Sequence, residues 1–542
     1  MKNPFDWSTG YASRRLPTFG RNVVATSHPY AAQAGLRMLH AGGNAVDAAI
    51  ATAAAMTILE PVSNGLGSDA FCILWDGTRL HGLNASGRAP AAWTRAYFTA
   101  KYGDSATKPP KRGWDSVTVP GAVAGWVALS DRFGKLPFAD LLQPAIDIAE
   151  RGYAVPVVVQ QKWAAAAAVH DLASQPGFEQ AFLPRGRAPN VGERFVFAAA
   201  GKTLRAIAQT KGEAYYRGEI AAAVARHARD EGGAIGEADF AACKPEWVDP
   251  IAIDYRHGFR LHEMPPNGQG IAAQIALGIL RHFDIAGLPS DGVDSQHLQI
   301  EAMKLGFADA YRYVAEPASM EVKPEQMLDD VYLADRARLI DPKRAQVFGP
   351  GNLSKGGTIY LSAADEQGMM VSFIQSNFMG FGSGVVVPEY GLSLHNRGHG
   401  FSLDAQSPNV VAPGKRPFHT IIPGLLSQDG EPVMSFGVMG GNMQPQGHLQ
   451  TLVRMLDYHQ HPQAACDAPR WRYNEGLSIN AEASMPGATV QGLIERGHQL
   501  EVIDDSYQDF GAGQFIWRLG DPAIEGYVAA SDPRRDGLAA AY

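Results

Sequence analysis

The sequence predicts a mixed α/β fold, because segments with helical spacing alternate along the chain with short apolar runs that are typical of strands. Residues 29–56 are alanine-rich, and Gly42-Gly43-Asn44 divides them into one helix that ends at glycine and a second capped by Asn44. Residues 71–75 and 79–84 flank Asp76-Gly77, which predicts strand, turn and strand. With 542 residues, 46% hydrophobic and 19% charged, the chain is globular and too long for one ordinary core. We therefore expect one large unit or two intertwined ones.

The character of the sequence changes near residue 350. Residues 115–345 are predicted to be mainly helical, with helices at 122–133 and 141–152. Residues 345–357 are rich in turn-forming residues and poor in core residues, which indicates an exposed, mobile linker. Residues 358–364 and 369–376 are then two strand-like runs that 365–368 join as a hairpin. Further strands are predicted at 433–436, around Thr489 and at 515–518, and a helix at 447–458.

Composition and motifs exclude several classes of function. The net charge of -8 is spread without long like-sign runs, which argues against nucleic-acid binding. Cys72, Cys243 and Cys466 are far apart, so we expect reduced thiols rather than disulfides or a zinc ribbon. The chain has no HExxH cluster and no GxSxG elbow, and no metal or cofactor is implied. Because no apolar run reaches the length of a membrane span or a signal peptide, we expect a soluble, cytoplasmic protein.

Thr358 is the most informative residue, because it follows Gly356-Gly357 and heads a predicted strand. If the Gly357-Thr358 bond is cut, Thr358 carries a free α-amine beside its own hydroxyl, so one residue holds both nucleophile and base. The pKa of an α-amine, about 7.7 to 8.0, suits that base. Before the cut, the same hydroxyl could attack the carbonyl of Gly357 and form an ester that water opens. An ordinary threonine after a Gly-Gly turn would have the same local sequence.

The wider sequence resembles the gamma-glutamyltranspeptidase family of N-terminal-nucleophile hydrolases. The likeness runs in order along nearly the whole chain. It includes GGNAVDAA (42–49), EPVSNGLG (60–67), RAPA (88–91), VPG (119–121), PPNGQG (265–270), SAAD (362–365), FGSGVVVP (381–388), PGKRP (413–417), MGGN (439–442), CDAPR (466–470) and ASDPR (530–534).

The resemblance implies a four-layer αββα sandwich, which two subunits from one precursor form jointly after self-cleavage before the catalytic threonine. That residue is Thr358 by position, so the large subunit is 1–357 and the small subunit 358–542. The family's second hydroxyl falls on Ser376, and its oxyanion hole on the backbone amides of Gly440 and Gly441. The implied partners are a small-molecule amide substrate and the two subunits, with further association into a homo-oligomer left open. An uncleaved, catalytically silent binding protein with the same fold is the alternative.

The glutamate-recognition residues of the family have changed in this chain. Ser86 stands where gamma-glutamyl-specific members have an arginine, while Arg88 directly precedes Ala89-Pro90. An asparagine and an aspartate of the family correspond to Phe378 and Gly400, and a pair of serines corresponds to His419-Thr420.

These changes predict a pocket in which Arg397, His419, Thr420, Arg88 and Phe378 contact the substrate. Arg397 either grips a carboxylate with its guanidinium fork or forms a surface salt bridge, and His419 is either a donor to substrate or structural. This residue set resembles the branch of oxamate amidohydrolases and cephalosporin-acylase-like proteins. We therefore expect an acyl group that bears a carboxylate, with the choice between oxamate-like and gamma-glutamyl groups, and between hydrolase and transferase activity, open.

Overall fold

The computed structural model describes residues 15–348, 357–504 and 510–542. Helices occur along the whole of this described chain. In those residues the α-helices are α1 (Pro29–His40), α2 (Ala45–Leu59), α3 (Arg95–Tyr102), α4 (Ala122–Phe133), α5 (Phe138–Arg151), α6 (Val157–Ala167), α7 (His170–Ala173), α8 (Phe178–Phe182), α9 (Ala198–Thr210), α10 (Glu213–Tyr216), α11 (Glu219–Asp230), α12 (Glu237–Ala241), α13 (Gly270–Leu280), α14 (Val293–Tyr313), α15 (Pro324–Met327), α16 (Asp330–Ala337), α17 (Met443–Leu456), α18 (Pro462–Asp467) and α19 (Gly487–Glu495).

The strands are likewise distributed along the whole described chain. They are β1 (Thr18–Gly20), β2 (Val23–Thr26), β3 (Asp69–Trp75), β4 (Leu80–Ala85), β5 (Tyr153–Ala154), β6 (Arg194–Phe195), β7 (Glu246–Val248), β8 (Ile251–Asp254), β9 (Phe259–Glu263), β10 (Gly357–Ala364), β11 (Met370–Phe378), β12 (Val386–Val387), β13 (Leu392–Ser393), β14 (Gly424–Gln428), β15 (Glu431–Met439), β16 (Trp471–Glu475), β17 (Ser478–Glu482), β18 (Gln499–Ile503), β19 (Ala512–Arg518), β20 (Tyr527–Ser531) and β21 (Leu538–Ala541).

Two antiparallel seven-stranded sheets form the centre of the fold. Sheet I has the order β1-β20-β19-β15-β14-β9-β8, and sheet II has the order β21-β2-β10-β11-β3-β4-β7. Each sheet takes strands from both sides of residue 357, and β10 and β11 lie near the middle of sheet II. Neither residues 1–357 nor residues 358–542 supply all the strands of either sheet.

The layers follow from alternation along the strands. Successive side chains of a strand point to opposite faces, and in β3 Phe71 and Ile73 face sheet I whereas Cys72 and Leu74 face helices. Helices α1, α2 and α4 cover the outer face of sheet II, with α5 packed on α2, and α13 and α17 cover the outer face of sheet I, with α14 packed on α13. The architecture is therefore the four-layer αββα sandwich that the resemblance implied.

Most of the predicted elements are confirmed. Asn44 caps α2, with its side chain accepting from the amide of Asp47, and all fifteen residues of α2 are buried. The hairpin of β10 and β11, the pair β3 and β4, and helices α4, α5 and α17 occupy the predicted positions. The predicted strand at 433–436 lies within β15, and the one at 515–518 lies within β19.

Two predictions about secondary structure need correction or completion. The strand predicted around Thr489 is wrong, because Thr489 lies in α19, where Leu493 is buried and the Thr489 hydroxyl donates to the carbonyl of Asp291. The mainly helical region also contributes the short strands β7, β8 and β9 to the two sheets. Most of the predicted linker at 345–357 lies outside the described residues.

Two further expectations concerned the redox state of the cysteines and the presence of membrane-spanning segments. Cys72 and Cys466 are buried, Cys243 is half-buried, and all three thiols are free. None of the helices in the described ranges combines the length and the apolar character that crossing a membrane requires.

Candidate active site

Thr358 lies at the head of the central strand β10 and is 3% exposed. Gly357 pairs with Phe378 of β11, and the register then shifts before Ile359 pairs with Gln375, so Thr358 lies at an irregularity of the ladder. A Cβ atom on Gly357 would lie only 3.2 Å from the carbonyl oxygen of Val62. A side chain directly before Thr358 would therefore require the backbone at Val62 and Ser63 to shift by a few tenths of an ångström.

The segment that crowds Gly357 is the EPVSNGLG motif at residues 60–67. The carbonyl oxygen of Ser63 accepts from the amide of Asn377, and that of Val62 accepts from the amide of Phe381. The Asn64 side chain accepts from Gln375 at 2.7 Å. These contacts fix the motif against the end of β11, beside the Gly357-Thr358 bond.

Ser376 contacts both sides of that bond. Its hydroxyl donates to the carbonyl oxygen of Gly357 at 2.6 Å and lies 3.3 Å from the hydroxyl of Thr358. It also accepts from the amide of Phe378 at 2.7 Å. A serine hydroxyl has one proton, so with that proton on Gly357 the Thr358 hydroxyl is the donor between the two side chains.

Gln444 is a site residue that the sequence reasoning missed. It is buried in the first turn of α17, and its side-chain oxygen accepts from the amide of Ile422 at 2.9 Å. That bond turns the NH₂ group toward Thr358, whose hydroxyl accepts from it at 3.4 Å. The three side chains therefore form a directed chain of donors from Gln444 through Thr358 to Ser376.

Gly440 and Gly441 form the turn between β15 and α17, close to Gln444. Their φ angles of 124° and 61° fall in the region that favours glycine. The side chain of Gln269, from the PPNGQG motif, donates to the carbonyl oxygen of Gly441 at 3.2 Å and to that of Thr420 at 2.7 Å. The structure thus brings the predicted glycine pair to the end of the helix that contacts Thr358.

A buried charged cluster lies directly beside Ser376, because Asp69 of β3 pairs with Ser376 across the sheet. The Arg397 guanidinium grips Asp69 through Nε at 2.8 Å and Nη2 at 3.2 Å, and it donates through Nη1 to the hydroxyl of Thr420 at 2.9 Å. His419 Nε2 lies 2.6 Å from Asp69. Asp69, Arg397 and His419 are all 0% exposed.

The protonation states of this cluster follow from its contacts. Burial alone would raise the pKa of Asp69, but Arg397 and His419 outweigh it, and the pKa lies well below its usual value. Burial, with Arg397 nearby, lowers the pKa of His419 to about 4. The amide of Ile421 donates to His419 Nδ1 at 3.3 Å, so the ring is neutral and its Nε2 proton points to Asp69.

The predicted substrate residues separate into three groups. Phe378 and Thr420 line a cavity of about 270 Å³ beside the site. Arg397 and His419 lie behind them, with the Arg397 guanidinium 4.5 Å from the centre of the Phe378 ring. Arg88 lies in a different cavity and forms ion pairs with Glu316 at 2.6 Å and Glu246 at 2.7 Å. Its contact with substrate stays a prediction.

One group of potential metal ligands occurs in the described ranges. It consists of His297, Glu301 and His498, all buried. The two imidazoles are hydrogen-bonded to each other at 2.9 Å, and the Lys304 ammonium lies 2.7 Å from Glu301. Nδ1 of His297, Nε2 of His498 and Oε1 of Glu301 therefore already have partners, one of them a cation, whereas Nδ1 of His498 has none among the described residues.

The class of protein that this fold and site define is the N-terminal-nucleophile hydrolase. The family model described as gamma-glutamyltranspeptidase matches residues 31–542, and the chain belongs to that family. It is accordingly an amide-cleaving enzyme of this class.

Named relatives come from several branches of the family. The chain is 35% identical to the glutathione hydrolase-like YwrD proenzyme of Bacillus subtilis, over 96% of this chain and 98% of the relative. It is 34% identical to the oxamate amidohydrolase proenzyme of Klebsiella pneumoniae, over 98% and 100%. A crystal structure of cephalosporin acylase from Bacillus halodurans is 47% identical, with a TM-score of 0.93 over 100% of this chain and 99% of that one.

Proposed function

We propose that this protein is a self-processing amide hydrolase or acyl transferase whose nucleophile is Thr358, released by cleavage of the Gly357-Thr358 bond. The observation that carries the proposal is the position of Ser376. Its hydroxyl donates to the carbonyl oxygen of Gly357 at 2.6 Å and lies 3.3 Å from the hydroxyl of Thr358. The Ser376 side chain thus contacts both the Thr358 hydroxyl, which would attack, and the Gly357 carbonyl group, which would be attacked.

Maturation begins when the Thr358 oxygen adds to the carbonyl carbon of Gly357. Negative charge develops on the Gly357 oxygen, where the Ser376 hydroxyl is already a donor, while the proton of Thr358 passes toward Ser376. The C–N bond then breaks as the Thr358 nitrogen takes up the proton that the Thr358 hydroxyl gave up, so that the nitrogen leaves as an amine and an ester joins Gly357 to the Thr358 oxygen. Water hydrolyses the ester to give 1–357 and 358–542, whose interleaved strands hold the two pieces together.

In the matured enzyme the free α-amine of Thr358 takes the proton of its own hydroxyl as that oxygen attacks the substrate amide. The amides of Gly440 and Gly441 stabilise the oxyanion, and Gln444 positions the Thr358 oxygen. The substrate amine leaves protonated, and water or an acceptor amine resolves the acyl-enzyme. Water gives hydrolysis, and an amine gives acyl transfer.

The acyl group that we propose is small and bears a carboxylate. Relatives in the family are named for oxamate, cephalosporin and glutathione chemistry, which supports a short acyl group without selecting one. Asp69 already holds Arg397 on two donors, so the guanidinium acts on the pocket through Phe378 and Thr420, which both line the cavity. Oxamate-like and gamma-glutamyl groups are the two candidates.

Denaturing gel electrophoresis tests the proposal against an uncleaved binding protein. The wild-type protein should give pieces of roughly 38 and 20 kDa, in proportion to their residue numbers, from a chain of 58.1 kDa. Thr358→Ala should remain one inactive band, whereas Thr358→Ser, which keeps the hydroxyl, should still be cleaved. Substrate is then assigned by comparing release of aniline from a gamma-glutamyl anilide with release of ammonia from oxamate. An active wild-type protein with the 357–358 bond intact would overturn the mechanism.

A further inference from the structure

The cavity beside Thr358 has an apolar wall and an unusual balance of charge. Tyr311, Phe401 and Phe418 join Phe378 in its lining. Among the described residues that line the cavity, Lys108 is the single lysine or arginine, and none is an aspartate or a glutamate. A cavity with aromatic walls and a cation but no anion is suited to an apolar chain that ends in a negative charge.

Lys108 lacks a partner for its charge in the part of the chain that the structure describes. Within the described residues its ammonium group forms neither an ion pair nor a hydrogen bond, whereas Lys101 pairs with Asp115 at 2.5 Å. Desolvation and the nearby Lys111 lower the pKa of Lys108, and the side chain is nonetheless exposed at the rim. A bound carboxylate would relieve both effects, since a cation is stabilised by an opposite charge within hydrogen-bond distance.

The neighbour His399 does not compete for that carboxylate. Its Nδ1 lies 2.6 Å from the carbonyl oxygen of Pro109, which accepts its proton. Burial, together with Lys108 and other nearby cations, lowers the pKa of His399, so the ring is neutral. Lys108 is therefore the cation that this wall of the cavity offers.

The rest of the lining connects Lys108 to the reacting centre. Phe378 lies two residues after Ser376, Asn442 directly follows Gly441, and the hydroxyl of Thr420 accepts from Arg397. Lys108 comes from a segment that carries none of the proposed catalytic residues. The cavity has a volume of about 270 Å³, several times the roughly 30 Å³ that one water occupies in the liquid. That is more than the acyl part of oxamate requires.

We propose that Lys108 is the residue that selects the acyl group, by binding a carboxylate at the end of the chain remote from the scissile amide. This inference rests on the proposed function and adds to it the residue that recognises the anion. Lys108 takes the role of carboxylate ligand that the sequence suggested for Arg397, because the Nε and Nη2 of Arg397 donate to Asp69 and its Nη1 donates to Thr420.

The test compares paired substrates of equal chain length. The 4-nitroanilides of glutaric acid and valeric acid differ in a terminal carboxylate, and the measured quantity is the ratio of their kcat/KM values. In Lys108→Met this ratio should fall about tenfold through a higher KM, as for a lost charge-assisted hydrogen bond at a partly solvated site. Lys108→Arg should retain the preference, and Lys111→Met is the matched control, since Lys111 is an exposed neighbour that does not line the cavity.

Direct binding separates failure of this inference from failure of the proposed function. By calorimetry, glutarate should bind the wild-type and Lys111→Met proteins about tenfold more tightly than Lys108→Met. A wild-type protein that is neither cleaved nor active but binds glutarate through Lys108 would overturn the proposed function and leave Lys108 as a carboxylate-binding residue without a role in acyl selection. Equal glutarate affinity in the wild-type and Lys108→Met proteins, or an unchanged substrate ratio, would overturn the role of Lys108.

Discussion

Replacing Ser376 by alanine removes the donor to the bond that is to be cleaved. The Ser376 hydroxyl is fully buried and donates to the Gly357 carbonyl oxygen over 2.6 Å. Loss of one donor to a developing oxyanion slows a reaction by about 10²–10³, or about 2.7–4 kcal/mol in activation free energy. The same change removes the acceptor for the proton of Thr358 at 3.3 Å. We therefore expect maturation of Ser376→Ala to be at least about 100-fold slower than that of the wild type.

The assay is a time course of freshly purified precursor on denaturing gels, with the fraction of intact chain fitted to a single rate. Ser372→Ala is the matched control, because Ser372 lies four residues earlier on β11, is equally buried and bonds Tyr360 at 2.8 Å. Both variants lose buried hydrogen bonds and should lower the free energy of unfolding by about 1–2 kcal/mol. Only Ser376→Ala should slow cleavage. Cleavage of Ser376→Ala at the rate of Ser372→Ala would refute the reasoning.

Three further predictions test the surroundings of the site. Gln444→Glu keeps the oxygen that accepts from Ile422 but removes the NH₂ group that donates to Thr358. In steady-state assays kcat should therefore fall about tenfold at unchanged KM. An unchanged kcat would show that Gln444 does not position the Thr358 oxygen. Burial lowers the pKa of His28 to about 3, so between pH 6.5 and 3 the unfolded chain binds a proton that the folded protein does not. Lowering the pH from 7 to 5 should therefore reduce the free energy of unfolding by about 2 kcal/mol. Urea unfolding of His28→Asn should lack this loss. Arg397→Met leaves a buried carboxylate without its main partner and should cost about 3–5 kcal/mol, against under about 1 kcal/mol for Arg260→Met in an exposed pair. A wild-type melting temperature for Arg397→Met, with only KM raised, would instead make that arginine a direct substrate ligand.

The local elements of this protein could be predicted because their causes are local. Asn44 is followed three residues later by Asp47, and together they form the capping box that starts α2. Two strand-like, mainly apolar runs on either side of a short turn define the hairpin of β10 and β11. Around Thr489 the same kind of reasoning failed, because β-branched residues favour a strand while packing against α14 selects a helix.

The site was only partly predictable, for a related reason. Thr358 and Ser376 lie on adjacent strands of one hairpin, so their proximity follows from sequence spacing. Asp69 and Gln444 are far from Thr358 in sequence, and each has a role only because the sheets bring it there. The glycine before Thr358 is likewise explained by its distance from Val62, which no local pattern contains.

The sequence by itself predicted a mixed α/β fold and the candidate nucleophile, since caps, turns and strand-like runs depend on residues near one another in the chain, and the ordered motifs implied the family and, through that resemblance, the αββα class. The tertiary structure decided what the charged side chains do. It buried Arg397 and His419 on Asp69, placed Arg88 with Glu246 and Glu316, and left Lys108 at the cavity without a partner among the described residues. The physical reason is that a charged group is stabilised by whichever partners lie within a few ångströms of it. Folding selects those partners from segments that are up to several hundred residues apart.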